Sequence, residues 1–127
     1  MNIVLLCTGF LVILYAALSV NVSRVRRQGR GSSRATETQL TQAVRAHGNA
    51  AEYIPLLVVL LLYLNAAAPG TWLAALAVLA TLSRVVHAAA MLIATTLDQR
   101  HRLRFIGALG TYLALFGLGG VLLHHAL

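Results

Sequence analysis

The chain has 127 residues, 59% of them hydrophobic and only 10% charged, with a mean hydropathy of +0.80. Soluble domains carry about a quarter charged residues, so a water-soluble globular enzyme is excluded. The net charge of +7 comes from ten arginines, with no lysine, against three acidic residues. In a soluble protein that balance suggests nucleic acid; here the arginines flank apolar spans and no nucleic-acid partner is expected.

Four apolar stretches are each long enough to cross a bilayer core, which takes about 20 residues. The helices expected lie at about 2–22, 37–66, 71–95 and 104–126. Little else remains, so the fold class expected is an all-α membrane protein, one four-transmembrane-helix bundle over residues 1–127.

The first stretch has no basic residue ahead of it, and Arg24, Arg26 and Arg27 follow it. A secretory signal has the opposite order of charge, so this stretch reads as a retained helix. Cys7, the only cysteine, excludes an intramolecular disulfide and reads as a small packing residue.

Between the first two helices, Gln28 to Arg34 has loop composition. Thr36 followed by Gln39 fits a capping box, a helix start near 37. A helix from there to Ala66 has about 30 residues and a length of about 45 Å, more than the hydrocarbon core of about 30 Å. Its first turns therefore lie in water or headgroups, with Arg45, Asn49 and Glu52 near the boundary. Pro55, within this helix, predicts a kink or a loosened turn near Ala51.

The arginines also set orientation. The first loop carries Arg24, Arg26, Arg27, Arg30 and Arg34; the third carries Arg100 and Arg102, with Arg104 at its end, against Asp98. The second, around Pro69-Gly70, has no charge. Loops one and three are therefore expected in the cytoplasm and both termini on the opposite side. The third helix is alanine-rich, and the fourth has Gly107, Gly110, Gly117, Gly119 and Gly120, compositions that suit close helix packing in lipid.

Charge inside a membrane span is costly and marks a functional site by default. At 100° per residue, Arg45, Asn49, Glu52 and Tyr53 share an arc of about 100° on helix two, while His47 points nearly the opposite way. A guanidinium, a carboxamide, a carboxylate and a phenol together can grip a zwitterionic ligand, the arginine taking a carboxylate and the glutamate an ammonium. The competing reading is that Arg45 and Glu52 only offset each other through Asn49. On helix three, Arg84 and His87 share a face continued by Met91. Arg84 lies too deep to be a boundary anchor and needs a partner; an Arg84–Glu52 ion pair is a purely structural alternative. His87 reads as a hydrogen-bonded bundle residue, with a proton carrier as the alternative. Tyr15, Tyr63 and Tyr112 read as packing or interface residues. A metal role for His124 and His125 is disfavoured, no metal site is expected, and no phosphate loop or nucleophile elbow is present.

The motif Arg45-x-His47-x-Asn49-x-x-Glu52-Tyr53-x-Pro55, on the second of four helices, resembles the MAPEG family, the membrane-associated proteins in eicosanoid and glutathione metabolism that include microsomal glutathione transferases. The architecture is most similar to the small bacterial branch, which implies a bacterial inner-membrane location. The resemblance implies a homotrimer with glutathione, as cosubstrate, bound between adjacent protomers near the cytoplasmic boundary. Carried onto matching positions, Arg45, Asn49, Glu52 and Tyr53 hold the peptide's polar groups, and His47 reaches the neighbouring subunit's ligand. Arg84 matches the helix-three arginine of the family. Glutathione-active members follow that arginine with tyrosines three and seven residues later, where this chain has His87 and Met91. They also carry a thiol-polarising arginine fourteen residues on, where this chain has Asp98, with Arg100 and Arg102 as the nearest arginines. A carboxylate beside the sulfur opposes thiolate formation, so no catalytic residue is assigned.

Three functions follow as expectations. The first is a glutathione-dependent transferase or peroxidase acting on lipophilic electrophiles. The second is a non-catalytic protein that binds glutathione or a lipid. The third is a small proton-coupled exporter, disfavoured because such proteins usually bury a glutamate in the first helix, which here has no charge.

Overall fold

The computed structural model describes residues 1–29, 34–93 and 102–127; Asp98 and Arg100 lie outside them, as does the Thr36 side chain. Helix α1 spans Ile3–Gln28, α2 Arg34–Ala67, α3 Thr71–Ile93 and α4 Arg102–Ala126. All four are long and apolar enough to cross a membrane.

Helix α1 starts where Asn2 can cap it: the Asn2 side-chain oxygen accepts from the Leu5 amide at 3.1 Å, filling one of the unpaired donors of the first turn. At the other end, the Gly29 amide donates to Val25 O at 3.0 Å, and Arg26 and Arg27 in the last turn complement the helix dipole. The 26 residues reach about 39 Å, so the helix outlasts the 2–22 apolar stretch and carries its arginines beyond it.

Helix α2 has 34 residues, about 51 Å, and already includes Arg34, ahead of the start expected from the capping pattern. It continues through Pro55, whose missing amide leaves the Ala51 carbonyl without its usual partner. An Asn2 Nδ2 donation to Asn65 Oδ1 at 3.2 Å ties the start of α1 to the end of α2. At the turn into α3, the Ala68 amide donates to Leu64 O at 2.8 Å and the Leu73 amide to Gly70 O at 3.1 Å. A side chain at Gly70 has little room, since a Cβ there would lie 2.5 Å from Trp72 Nε1.

Helix α3 is the central element: it packs against all three others. Of its most apolar window 44% is buried, against 28% for each of the other helices. The α3–α4 contact depends on small residues. A Cβ on Gly107 would come within 2.7 Å of His87 Cβ and 2.8 Å of the Ser83 carbonyl, and one on Gly110 would collide with Ser83 Oγ. Gly117 likewise faces Leu76, whereas Gly119 and Gly120 have open space beside them.

The buried interior has two parts. Near the start of α1 it is leucine: Leu11, Leu57, Leu61, Leu64, Leu73 and Leu118 are fully buried. Toward the end of α1 and the start of α2 it is mainly alanine, with Ala43, Ala46, Ala50, Ala88 and Ala90, and it encloses Arg84. The outer surface is apolar: Phe10, Ile13, Val59, Leu82, Phe105 and Phe116 are each at least 60% exposed, as suits side chains whose solvent is lipid.

Candidate functional site

The polar residues of helix α2 part into two directions. Arg45, Gly48 and Glu52, one turn apart along the helix, lie on its exposed face, while Asn49 and Tyr53, rotated about 40° and 80° from Arg45, are half-buried. His47 leaves the helix on the far side and stacks on Tyr15 of α1, ring centres 5.1 Å apart and planes at 14°.

Arg84 of α3 meets the inward pair. It is 1% exposed, the largest fully buried side chain among the described residues. Its Nη2 donates to Asn49 Oδ1 at 2.6 Å, and its guanidinium carbon lies 5.2 Å from the centre of the Tyr53 ring. A charge-assisted hydrogen bond and a cation–π contact are what a guanidinium can form when no carboxylate is in reach. The Nε–H is left buried without a partner. No ion pair joins Arg84 to Glu52, which stays on the exposed face; a carboxamide holds the arginine in place of the carboxylate expected. The guanidinium is thus buried with one donor unfilled and no carboxylate in contact.

His87, one turn along α3, has Nδ1 3.0 Å from the Arg104 carbonyl oxygen. A carbonyl only accepts, so Nδ1 carries the hydrogen and the ring fastens the start of α4 to α3. Met91 is buried below it. His87 is thus a bonded bundle residue, with Nε2 as its remaining acceptor.

Tyr112 of α4 enters the cluster as well. Its hydroxyl lies 3.3 Å from that of Tyr53, with ring centres 6.0 Å apart and planes at 57°. The sequence alone reads Tyr112 as a packing or interface residue. A phenol in the middle of a span whose hydroxyl must find a partner was the available signal. The structure therefore brings together Asn49, Tyr53, Arg84 and Tyr112, leaves Arg45 and Glu52 beside them on the outer face, and sets His47 and His87 on two other contacts. His124 and His125 are exposed at the far end of α4.

The MAPEG family model matches residues 4–124, nearly the whole chain. The chain belongs to the MAPEG family. The matched region takes in the Arg45–Pro55 segment, Arg84 and the Tyr112 contact, and with four apolar helices it makes this MAPEG protein an integral membrane protein. No curated protein and no solved structure matches the chain.

Proposed function

We propose that this MAPEG protein binds glutathione or a closely similar thiol peptide in the alanine-lined half of the bundle and uses it, as a transferase or peroxidase, on lipophilic electrophiles that arrive through the bilayer. The observation that carries this reading is Arg84, a fully buried cation held by Asn49 and Tyr53 with one N–H unfilled. Arg45 and Glu52, exposed on the adjoining face, supply a guanidinium for a ligand carboxylate and a carboxylate for its ammonium group. Arg45 and Glu52, ionisable and exposed where α2 enters the membrane, support a second copy of the chain covering them in a homotrimer, whereas His47 stacks on Tyr15 of its own subunit. Loops one and three lie in the cytoplasm, both termini on the other side of a bacterial inner membrane.

A second reading, thiol-peptide or lipid binding without turnover, is favoured by one feature. His87 is engaged with the Arg104 carbonyl and Met91 is apolar, so neither offers a hydroxyl where glutathione-active relatives carry tyrosine.

Isothermal titration of the detergent-purified protein with glutathione, with an absorbance scan for thiolate, tests both. Saturable binding that Arg45→Ala weakens at least tenfold, together with a thiolate band at neutral pH, is the result expected of the enzyme. Binding without thiolate supports the second reading. No binding overturns the enzyme reading and the thiol-peptide form of the second, leaving lipid binding alone.

A further inference from the structure

At the end of the bundle away from the arginines, beyond the leucine interior, the start of α1, the end of α2 and the start of α3 border a cavity of about 480 Å³. That volume lies within the range of about 300 to 1,000 Å³ typical of small-molecule pockets. Asn65, on its wall, is about 30 Å along α2 from Arg45, the thickness of a hydrocarbon core. The cavity therefore sits at the opposite membrane boundary from the proposed thiol site. No ionisable side chain lines it. Its hydrogen-bonding character follows from one contact. The Leu5 amide donates to Asn2 Oδ1 at 3.1 Å, which fixes the Asn2 carboxamide with Nδ2 toward Asn65. Asn2 Nδ2 then donates to Asn65 Oδ1 at 3.2 Å, which fixes the Asn65 carboxamide in turn. Both oxygens are engaged, while one N–H of Asn2 and both N–H groups of Asn65 have no partner among the described residues. The Thr71 hydroxyl adds another donor, and Ile3, Val4 and Ala74 supply an apolar wall.

From this geometry we infer that the cavity holds the glycerol-ester region of a diacyl phospholipid from the leaflet opposite the arginines, its ester carbonyls accepting from Asn2, Asn65 and Thr71. Uncharged donors beside an apolar wall fit carbonyl oxygens joined to hydrocarbon, and with no cation among the lining side chains the site does not select a formal anion. Ester carbonyls are the lipid acceptors that lie where headgroup meets hydrocarbon, which is the depth of the cavity. Water satisfies the same donors but leaves Ile3 and Ala74 hydrated, whereas an acyl chain covers them. The lipid is thus recognised by its linkage and not by its headgroup. The cavity is separate from Arg45 and Arg84, and its occupancy does not depend on thiol binding.

The test is native mass spectrometry of the detergent-purified protein with phosphatidylglycerol and phosphatidylethanolamine, each supplied in a diacyl and a dialkyl-ether form. Ether lipids keep the headgroup and the chains but lack the carbonyls. The expected result is that bound diacyl lipid exceeds the ether form at least fivefold with either headgroup, in wild type and in Arg27→Gln alike. In Asn65→Asp the carboxylate still accepts from Asn2 Nδ2, so the helix ends stay joined while the Asn65 donors are lost. There the ratio should fall to parity with the unfolding midpoint unchanged. Thr71→Val, which leaves the Asn2–Asn65 bond alone, should at least halve the ratio. A wild-type ratio at parity, or a ratio unchanged in both variants, overturns the site. So does a preference for phosphatidylglycerol that Arg27→Gln removes and linkage does not affect, since that lipid is held by the arginines at the other end.

Discussion

The two halves of the bundle are built on different principles. In the half around Leu11, Leu57, Leu61, Leu64 and Leu118, large apolar side chains fill the space between helices. In the other half alanine and glycine predominate, the α3 and α4 backbones approach closely at Gly107 and Gly110, and the buried charged occupant is Arg84. Lipid tails are as apolar as leucine, so neither half is held by exclusion of water; the first relies on dispersion contacts and the second on hydrogen bonds and tight approach. The difference teaches where function can be placed. A leucine interior offers a ligand nothing to bond, whereas the small-residue half keeps donors available beside an accessible face.

Substitutions can break this contrast. The largest stability loss is expected from Asn49→Leu, which leaves the buried guanidinium without its acceptor and should cost about 3 kcal/mol, read as a lowered unfolding midpoint in detergent. Leu61→Ala, in the opposite half, removes a fully buried side chain; with a cavity but no water-exclusion gain at stake, about 2 kcal/mol is expected in the same assay. If Leu61→Ala proves the more damaging, the polar half is less dependent on its arginine than the geometry implies. Gly107→Ala should cost about 1 to 2 kcal/mol, because the added methyl meets backbone atoms of α3 rather than the tip of a flexible side chain. Tyr15→Leu, which removes the stack on His47, should cost about 1 kcal/mol. The smallest change in unfolding midpoint is expected from Arg45→Ala and Glu52→Gln, on the outer face, although both should weaken glutathione binding at least tenfold. A large loss of stability in either would mean that these residues support the bundle itself.

The four helices were legible because an apolar run of bilayer length has few alternative structures. So was the value of the Arg45–Tyr53 segment, since charge in a span calls for an explanation. The partner of Arg84 was not. Asn49 and Glu52 differ by about 60° around α2, and which of them faces α3 depends on how the two helices are rotated against each other, which one helix's periodicity does not contain. Carboxylate was the better electrostatic guess; the helix rotation selected the carboxamide. The contact between Tyr112 and Tyr53 is not legible for a similar reason. Tyr112 belongs to a helix with no polar stripe of its own, and its relevance comes only from the neighbour it meets.

Arg84 also bears on how the protein is made. An arginine at the centre of a span raises the cost of insertion by about 3 kcal/mol, which the surrounding leucines and alanines of α3 must offset. Once in the membrane, α3 on its own would hold an uncompensated guanidinium in hydrocarbon, and the first partner to emerge for it is Asn49, on the helix synthesised immediately before. The chain order thus delivers acceptor before donor, and α3 should enter the bilayer more efficiently behind α2 than behind an unrelated leader helix. A glycosylation-site reporter after α3 reads that efficiency directly, and Asn49→Leu should remove the advantage. On that expectation, the residue proposed to greet the ligand also draws α3 to α2 during synthesis.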